Sequence, residues 1–337
     1  MNARAWLPRL LLLAILVGIP GLVLQSNRAV AAFDQRGPMY AVYVLPDDGR
    51  QPFIDEIDAS TSSIELYLYL LSDQLTIDAL VRAHVRGVRV RVMLEPVPFG
   101  GARTELETFN ILSSLGVDVR WSPKLFRFSH VKMAIFDDSV ALIMNLNVTE
   151  SAFASNRDFA ILSDDVEVVA SALEIFEADW LGQKPPDTTP PAGPLVVSPH
   201  NSRTALLSLI ESATLTLDLY SEFITDPEII DSLIAAAQRG VLVRLVMSEA
   251  SEESLASEEP GSLARNGVIV RIVNAPYIHA KAIIADGNAL FIGSQNFTSN
   301  SLDNNREVGL IVNDPAAIAR VSRAFETDFT NGTRLVI

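Results

Sequence analysis

SHVKMAIFDDSVALIMNLNVTESAFASNRDFAIL, residues 129–162, and IHAKAIIADGNALFIGSQNFTSNSLDNNREVGLI, residues 278–311, are two copies of one pattern. Each contains H-x-K-x4-D: His130, Lys132 and Asp137, then His279, Lys281 and Asp286. An asparagine follows in each, Asn147 and Asn296, and then a carboxylate, Asp158 and Glu307. Corresponding groups lie 149 positions apart throughout, from 279 less 130 to 307 less 158. No insertion separates these groups in either copy. Four lysines and four histidines occur in the chain, and half of each set falls in this pattern, which surface decoration does not explain.

In a strand, side chains alternate, so H-x-K places histidine and lysine on one side. The apolar runs MAIF and AIIA continue that strand. Asp137 and Asp286 come an odd step after lysine and are expected to face away, as supports rather than reactants. Cleaving a phosphodiester requires a nucleophile, a proton donor for the leaving oxygen, and cations on the nonbridging oxygens. Histidine serves as nucleophile or as acid near neutral pH. Lysine stabilises developing phosphoryl charge, and a carboxylate on the far ring nitrogen fixes the imidazole tautomer. One copy has a single histidine and cannot fill both roles. Two copies facing one another across a pseudo-twofold axis can.

The rest of the chain repeats as well. SIELYLYLL (63–71) reads as a buried strand and TLTLDLYSEF as its counterpart, with Tyr67 matching Tyr220. Asp73 and Asp226 are helix caps, Arg86-Gly87 and Arg239-Gly240 helix stops, and VRVRVML and VLVRLVM strands. Phe176-Glu177 and Asp179-Trp180 align with Phe325-Glu326 and Asp328-Phe329 on closing amphipathic helices, where core packing is the expected role. Alternating strands and helices imply an α/β fold of two halves, each a mixed sheet flanked by helices. The halves are expected at 38–183 and 195–337, joined by the proline-rich linker 184–194. The acidic stretch 248–262 reads as a solvated loop or frayed helix.

Residues 1–32 have a basic start, an apolar run and small residues near Ala31. They are expected to be a signal peptide or an N-terminal membrane anchor, placing the remainder outside the cytoplasmic membrane. A formal net charge of −15 favours solubility and weighs against duplex nucleic acid. The absence of cysteine removes disulfides and thiolate metal sites.

The doubled pattern resembles the phospholipase D superfamily in its two-motif, single-chain form. The second copy has the fuller signature H-x-K-x4-D-x6-G-S-x-N, as His279, Lys281, Asp286, Gly293, Ser294 and Asn296. The first copy has Met144 and Asn145 where Gly and Ser are usual. The resemblance implies a catalytic set of His130, Lys132, Asp137, His279, Lys281 and Asp286. His130 would attack phosphorus and form a phosphohistidine, although the symmetry of the residues leaves either histidine open. His279 would protonate the leaving alcohol. Lys132, Lys281, Asn147, Asn296 and Ser294 would hold the phosphate. Asp158 would orient His130, and Glu307 would orient His279. Neither metal nor cofactor is implied.

The leading expectation is hydrolysis of a phospholipid head group by a monomer. Peripheral membrane contact would come from SPKLFRF (122–128), where Phe126 and Phe128 lie beside Lys124 and Arg127. The alternatives are an endonuclease of the same superfamily acting on single strands, a cardiolipin synthase-like phosphatidyl transferase, and an inactive binding module. Both motifs are complete, which argues against the last.

Overall fold

Strand β5 (Lys132–Phe136) carries the first motif into the middle of a mixed sheet. The computed structural model describes residues 37–99, 104–183, 194–249 and 258–336. The expected targeting segment and nearly all of the expected linker lie outside them. The first sheet runs β1 (Tyr40–Leu45), β7 (Asn156–Ser163), β6 (Val140–Met144), β5, β2 (Ser63–Leu68), β3 (Arg89–Leu94) and β4 (Asp118–Trp121). The second repeats this order with β8 (Leu195–Ser198), β15 (Glu307–Val312), β14 (Ala289–Gly293), β13 (Ala282–Ala285), β9 (Thr216–Tyr220), β10 (Leu242–Met247) and β11 (Ile269–Ile272). A short edge strand, β16 (Thr333–Arg334), is added at β11. In both sheets the motif strand runs antiparallel to its neighbours, and the pairs β2–β3–β4 and β9–β10–β11 on one side of it are parallel.

Helix ends fall where the residues dictate. Asp73 accepts from Thr76 N at the start of α2 (Gln74–Val85), which follows α1 (Gln51–Ala59). Asp226 accepts from Ile229 N at the start of α7 (Pro227–Gln238); α3 (Thr104–Ser114), α4 (Glu150–Ala154), α5 (Val166–Trp180) and α6 (Ser202–Ser212) lie between. Each cap satisfies amides that the first helical turn leaves open. Among the described residues that follow lie α8 (Glu259–Arg265), α9 (Ser299–Asp303) and α10 (Pro315–Asn331). The end of the acidic stretch thus forms the start of α8. Among the described residues no helix is long and apolar enough to cross a membrane.

The halves do not form separate cores. Met133, Ile143 and Phe159 of the first sheet share one apolar cluster with Ile284, Ile292 and Leu310 of the second, together with Phe176 of α5 and Phe325 of α10. Each half has a further cluster beneath its own outer helices. Residues 38–337 accordingly form a single compact unit.

The strand that ends in the motif aspartate turns back at once. Asp137 and Asp138 have φ of 52° and 51°, and Ser139 N donates to Phe136 O. Two successive positive φ values mark the turn type that matches hairpin twist, a conformation that aspartate tolerates. Asp286 and Gly287 form the matching turn at 51° and 63°.

Candidate active site

Two short parallel bridges bring the motifs together. Strand β12 (Tyr277–Ile278), which leads into His279, pairs with β7 of the first half, Ile278 lying opposite Arg157. Ser129, which leads into His130, bridges Arg306 of the second half. Each histidine therefore runs beside the carboxylate that follows the opposite half's arginine. His130 Nδ1 lies 2.8 Å from Glu307 Oε2, and His279 Nδ1 lies 2.7 Å from Asp158 Oδ1. This corrects the expected pairing of Asp158 with His130 and Glu307 with His279. The carboxylates do meet the histidines, but across the halves, because the bridges are formed across the halves.

Buried arginine–aspartate pairs lock this crossing. Arg157 Nε donates to Asp328 Oδ2 at 2.7 Å, and Arg306 Nε donates to Asp179 Oδ2 at 2.8 Å. Each pair has a second hydrogen bond, at 3.1 and 2.9 Å. Forked guanidinium–carboxylate pairing of this kind fixes orientation as well as contact. Asp179 and Asp328, expected to sit on packing faces, join each half's closing helix to the other half. The backbone before each histidine is tied down as well. Ser129 N donates to Glu95 Oε2, and Ile278 N donates to Ser248 Oγ at the matching place.

Lys132 and Lys281 are fully buried, each donating to the carbonyl of the histidine two residues earlier, at 2.9 and 2.6 Å. Burial lowers Lys132 to about 7; Glu307 opposes this and Lys281 adds to it. Burial also lowers His130 to about 4, with Glu307 opposing and Lys132 and Lys281 assisting. Lys281 thus acts on both groups of the first motif, as expected where both copies converge on one site. Glu307 is held below the ordinary glutamate range despite its burial, by His130 and Lys132.

The carboxamide oxygens of Asn147 and Asn296 are buried and take no hydrogen bond from a described group. Ser294 is different. Its hydroxyl is fully buried and bonded to the main chain of Val308 in both directions, at 3.0 and 3.3 Å. This corrects its expected place on the phosphate: it ties β14 to β15. Asn145, at the matching position, does the same work by accepting from Phe159 N at 2.6 Å. The departure of the first motif from Gly-Ser is therefore a structural exchange.

Asp137 and Asp286 are not at the site. A strand rises about 3.4 Å per residue, which puts them roughly 17 Å from their lysines. Asp137 accepts from the amides of Thr61, Ser62 and Ser63, and Asp286 from those of Thr214, Leu215 and Thr216. Each is held at about 2 because these amides outweigh the effect of burial. Their inclusion in the catalytic set is corrected: they anchor the motif hairpin to the start of the next strand.

One residue escaped the sequence reading. Glu222 Oε2 lies 2.6 Å from Lys281 Nζ and 3.6 Å from His279 Nε2. Burial would raise its carboxyl, but Lys281 and His279 overcome this and pull it down to about 2. Among the described residues, no three His, Cys, Asp or Glu side chains are grouped so as to hold a metal ion.

The family model described as "Cardiolipin synthase, PLD-like domain" matches this chain twice, at residues 53–180 and 206–329. The chain is 34% identical over 124 residues to the mitochondrial cardiolipin hydrolase of Mus musculus, a match covering 36% of this chain and 53% of that protein. It thus spans about half the length of that relative. It is 23% identical over 335 residues to cardiolipin synthase A of Salmonella arizonae, covering 86% of this chain and 68% of the relative. Two solved structures share the fold. Phosphatidylserine synthase of Haemophilus influenzae superposes with a TM-score of 0.69 at 12% identity, over 93% of this chain and 92% of that one. Polyphosphate kinase of Porphyromonas gingivalis gives the same TM-score at 18% identity, over 88% of this chain and 48% of its own.

Proposed function

The chain belongs to the phospholipase D-like family, in the two-repeat form matched by the cardiolipin synthase, PLD-like domain model, and on that premise we propose that it cleaves the head-group phosphodiester of a phospholipid through a covalent phosphohistidine. The observation that carries this reading is the pair of crossed contacts, His130 with Glu307 and His279 with Asp158. They occupy Nδ1 of each ring and leave Nε2 as the nitrogen free for chemistry.

In this mechanism Lys132 and Lys281 supply positive charge to the nonbridging oxygens, and Asn147 and Asn296 add amide donors. The neutral His130 Nε2 uses its lone pair to form a bond to phosphorus. The bond from phosphorus to the leaving oxygen breaks, and that oxygen takes the Nε2 proton of His279. Water then loses a proton to His279 as its oxygen bonds to phosphorus, and the P–N bond to His130 breaks. Glu307 and Asp158 hold each ring through Nδ1–H and stabilise the cation that forms.

A phospholipid substrate is supported by the names of the relatives and by apolar exposure beside the site. Val97, Phe99 and Leu125 are 62%, 78% and 44% exposed. Phe99 N donates to the Tyr69 hydroxyl at 2.5 Å, and the Tyr69 ring lies edge-on to His130 at 4.5 Å. Leu125 lies in the expected membrane segment, in which Phe128 packs on Tyr69 and Phe126 lies beneath the Arg306 guanidinium. Such a rim can enter an acyl boundary while the polar floor receives the phosphate.

Phosphatidyl transfer is the second reading, favoured by the match to cardiolipin synthase A over most of the chain. An alcohol replaces water in the second step. One experiment separates the readings: incubate the protein with phosphatidylcholine, phosphatidylglycerol and single-stranded DNA, with EDTA present. Release of choline or glycerol together with phosphatidic acid supports hydrolysis. Cardiolipin formed from phosphatidylglycerol supports transfer. Cleavage of DNA alone overturns both.

A further inference from the structure

The two halves are matched almost group for group at the site, and they differ in charge at one place. Strands β2 and β9 align at a constant offset of 153, as in 220 less 67, so Tyr69 and Glu222 occupy the same place in their halves. Phe128 and Tyr277 also correspond, 149 apart. In the first half Tyr69 packs edge-on against Phe128, and its ring lies 4.9 Å from Lys132 Nζ. In the second half the aromatic pair becomes a carboxylate and a phenol, the Tyr277 hydroxyl donating to Glu222 Oε1 at 3.3 Å. The exchange leaves the two lysines unequal. Each gives one N–H to the carbonyl of its histidine. Lys281 gives a second to Glu222 Oε2 at 2.6 Å, whereas among the described residues no carboxylate lies within ion-pair distance of Lys132. An ammonium has three donors, so Lys132 keeps two for a ligand and Lys281 keeps one.

We propose that Glu222 is a specificity-determining residue that sets the charge of the phosphate group the site accepts, admitting the monoanion of a phosphodiester and disfavouring the dianion of a phosphate monoester. This rests on the phosphodiesterase reading of the same site. Two lysines alone would offer two positive charges and suit a dianion. Glu222 reduces that sum to one. The other carboxylates, Glu307 and Asp158, sit behind the rings at Nδ1, one in each half, and do not distinguish the lysines.

The geometry brings Glu222 against the ligand itself. An anion on the remaining N–H of Lys281 shares that ammonium with Glu222 Oε2. Two oxygens at charge-assisted distances on one tetrahedral ammonium lie roughly 4–5 Å apart. A second negative charge on the ligand therefore meets a carboxylate at close range, in a site where Lys281 is fully buried and screening is weak. Glu222 is fixed there from both oxygens, by Lys281 on Oε2 and by the Tyr277 hydroxyl on Oε1. The consequence falls on the product. Hydrolysis turns a diester with one charge into a monoester that carries about −1.5 to −2 at pH 7. The site then holds its product less firmly than its substrate.

Binding of two tetrahedral anions tests this without turnover. An NMR titration at pH 6, below the value of about 7 at which Lys132 loses its proton, compares sulfate, a dianion, with dimethyl phosphate, a monoanion. In Glu222→Gln the amide oxygen still accepts from Lys281 and only the charge is lost. This variant is expected to gain affinity for sulfate at least about tenfold more than for dimethyl phosphate. Glu222→Asp, which keeps the charge, and Tyr277→Phe, which removes only a neighbour of it, are expected to keep the wild-type ratio of the two affinities. Equal changes for the two anions in Glu222→Gln overturn the proposal and leave the phosphodiesterase reading standing, because a carboxylate that only positions Lys281 gives that result. A ratio in Glu222→Asp that follows Glu222→Gln overturns it in the same way. Binding of neither anion to any form overturns the proposal together with the reading on which it rests.

Discussion

His130 and Glu307 are 177 positions apart in the chain and 2.8 Å apart in space. The contact makes each half incomplete: the ring comes from one repeat and the group that orients it from the other. Replacing Glu307 with Gln is expected to lower kcat by about 10²–10⁴-fold, since a comparable change in a Ser-His-Asp triad costs about 10⁴. Asp158→Asn should do the same through His279. Rates near wild type in both variants, measured with a soluble phosphodiester, would contradict the crossed assignment.

The Arg157–Asp328 and Arg306–Asp179 pairs are nearly inaccessible to solvent, at 5% and 3%, and 2% and 0%. Removing one partner of such a pair leaves a buried charge and costs about 3–5 kcal/mol. Asp328→Ala should therefore lower the midpoint of urea unfolding strongly. The double variant Arg157→Met with Asp328→Leu should recover part of the loss. An additive loss in the double variant would contradict direct pairing.

Asp137 and Asp286 separate stability from turnover. Asp286→Ala is expected to lose on the order of 1 kcal/mol, the worth of its amide contacts, and to keep the wild-type kcat. The contribution of each carboxylate has a definite sign. Both are held at about 2, below their ordinary value of 3.8. Their stabilisation is complete above the ordinary value and disappears as pH falls through about 2. A urea series from pH 5 to pH 2 should show a smaller acid loss in Asp286→Ala than in the wild type.

The pH dependence of kcat/KM reports the free enzyme. His130 must be neutral to attack, and its proton leaves near 4, so the acid limb should fall below about pH 4. Lys132 must be charged to hold phosphate, and burial sets its loss near 7, so the alkaline limb should begin near pH 7. Lys132→Arg should move that limb upward, since a guanidinium stays charged. An alkaline limb that does not move would assign it to another group.

The repeat made much of this readable. A constant spacing between groups in both copies predicts strands and turns in matching order, and the sheets have the same strand order. The period-two argument separates the lysines from Asp137 and Asp286, which the structure places at the far end of the hairpin. Which histidine meets Asp158 or Glu307 could not be read, because equal spacing serves pairing within a half or between halves. The charged residues that settle it were visible: Arg157 and Arg306 stand just before the carboxylates, and Asp179 and Asp328 repeat at the same offset. Glu222 was hidden for another reason. A lone acid at a strand end has no pattern, and only its alignment with Tyr69 shows that the repeat is broken there.

A covalent adduct tests the shared site most directly. With His279→Asn and a p-nitrophenyl phosphodiester, the first step needs no proton donor and the second lacks its base, so the intermediate should accumulate. Intact-mass and peptide spectra should then show the phosphoester mass on His130 alone. An adduct on another residue, or no adduct while the variant releases nitrophenol at the wild-type rate, would contradict a single active site built by both halves.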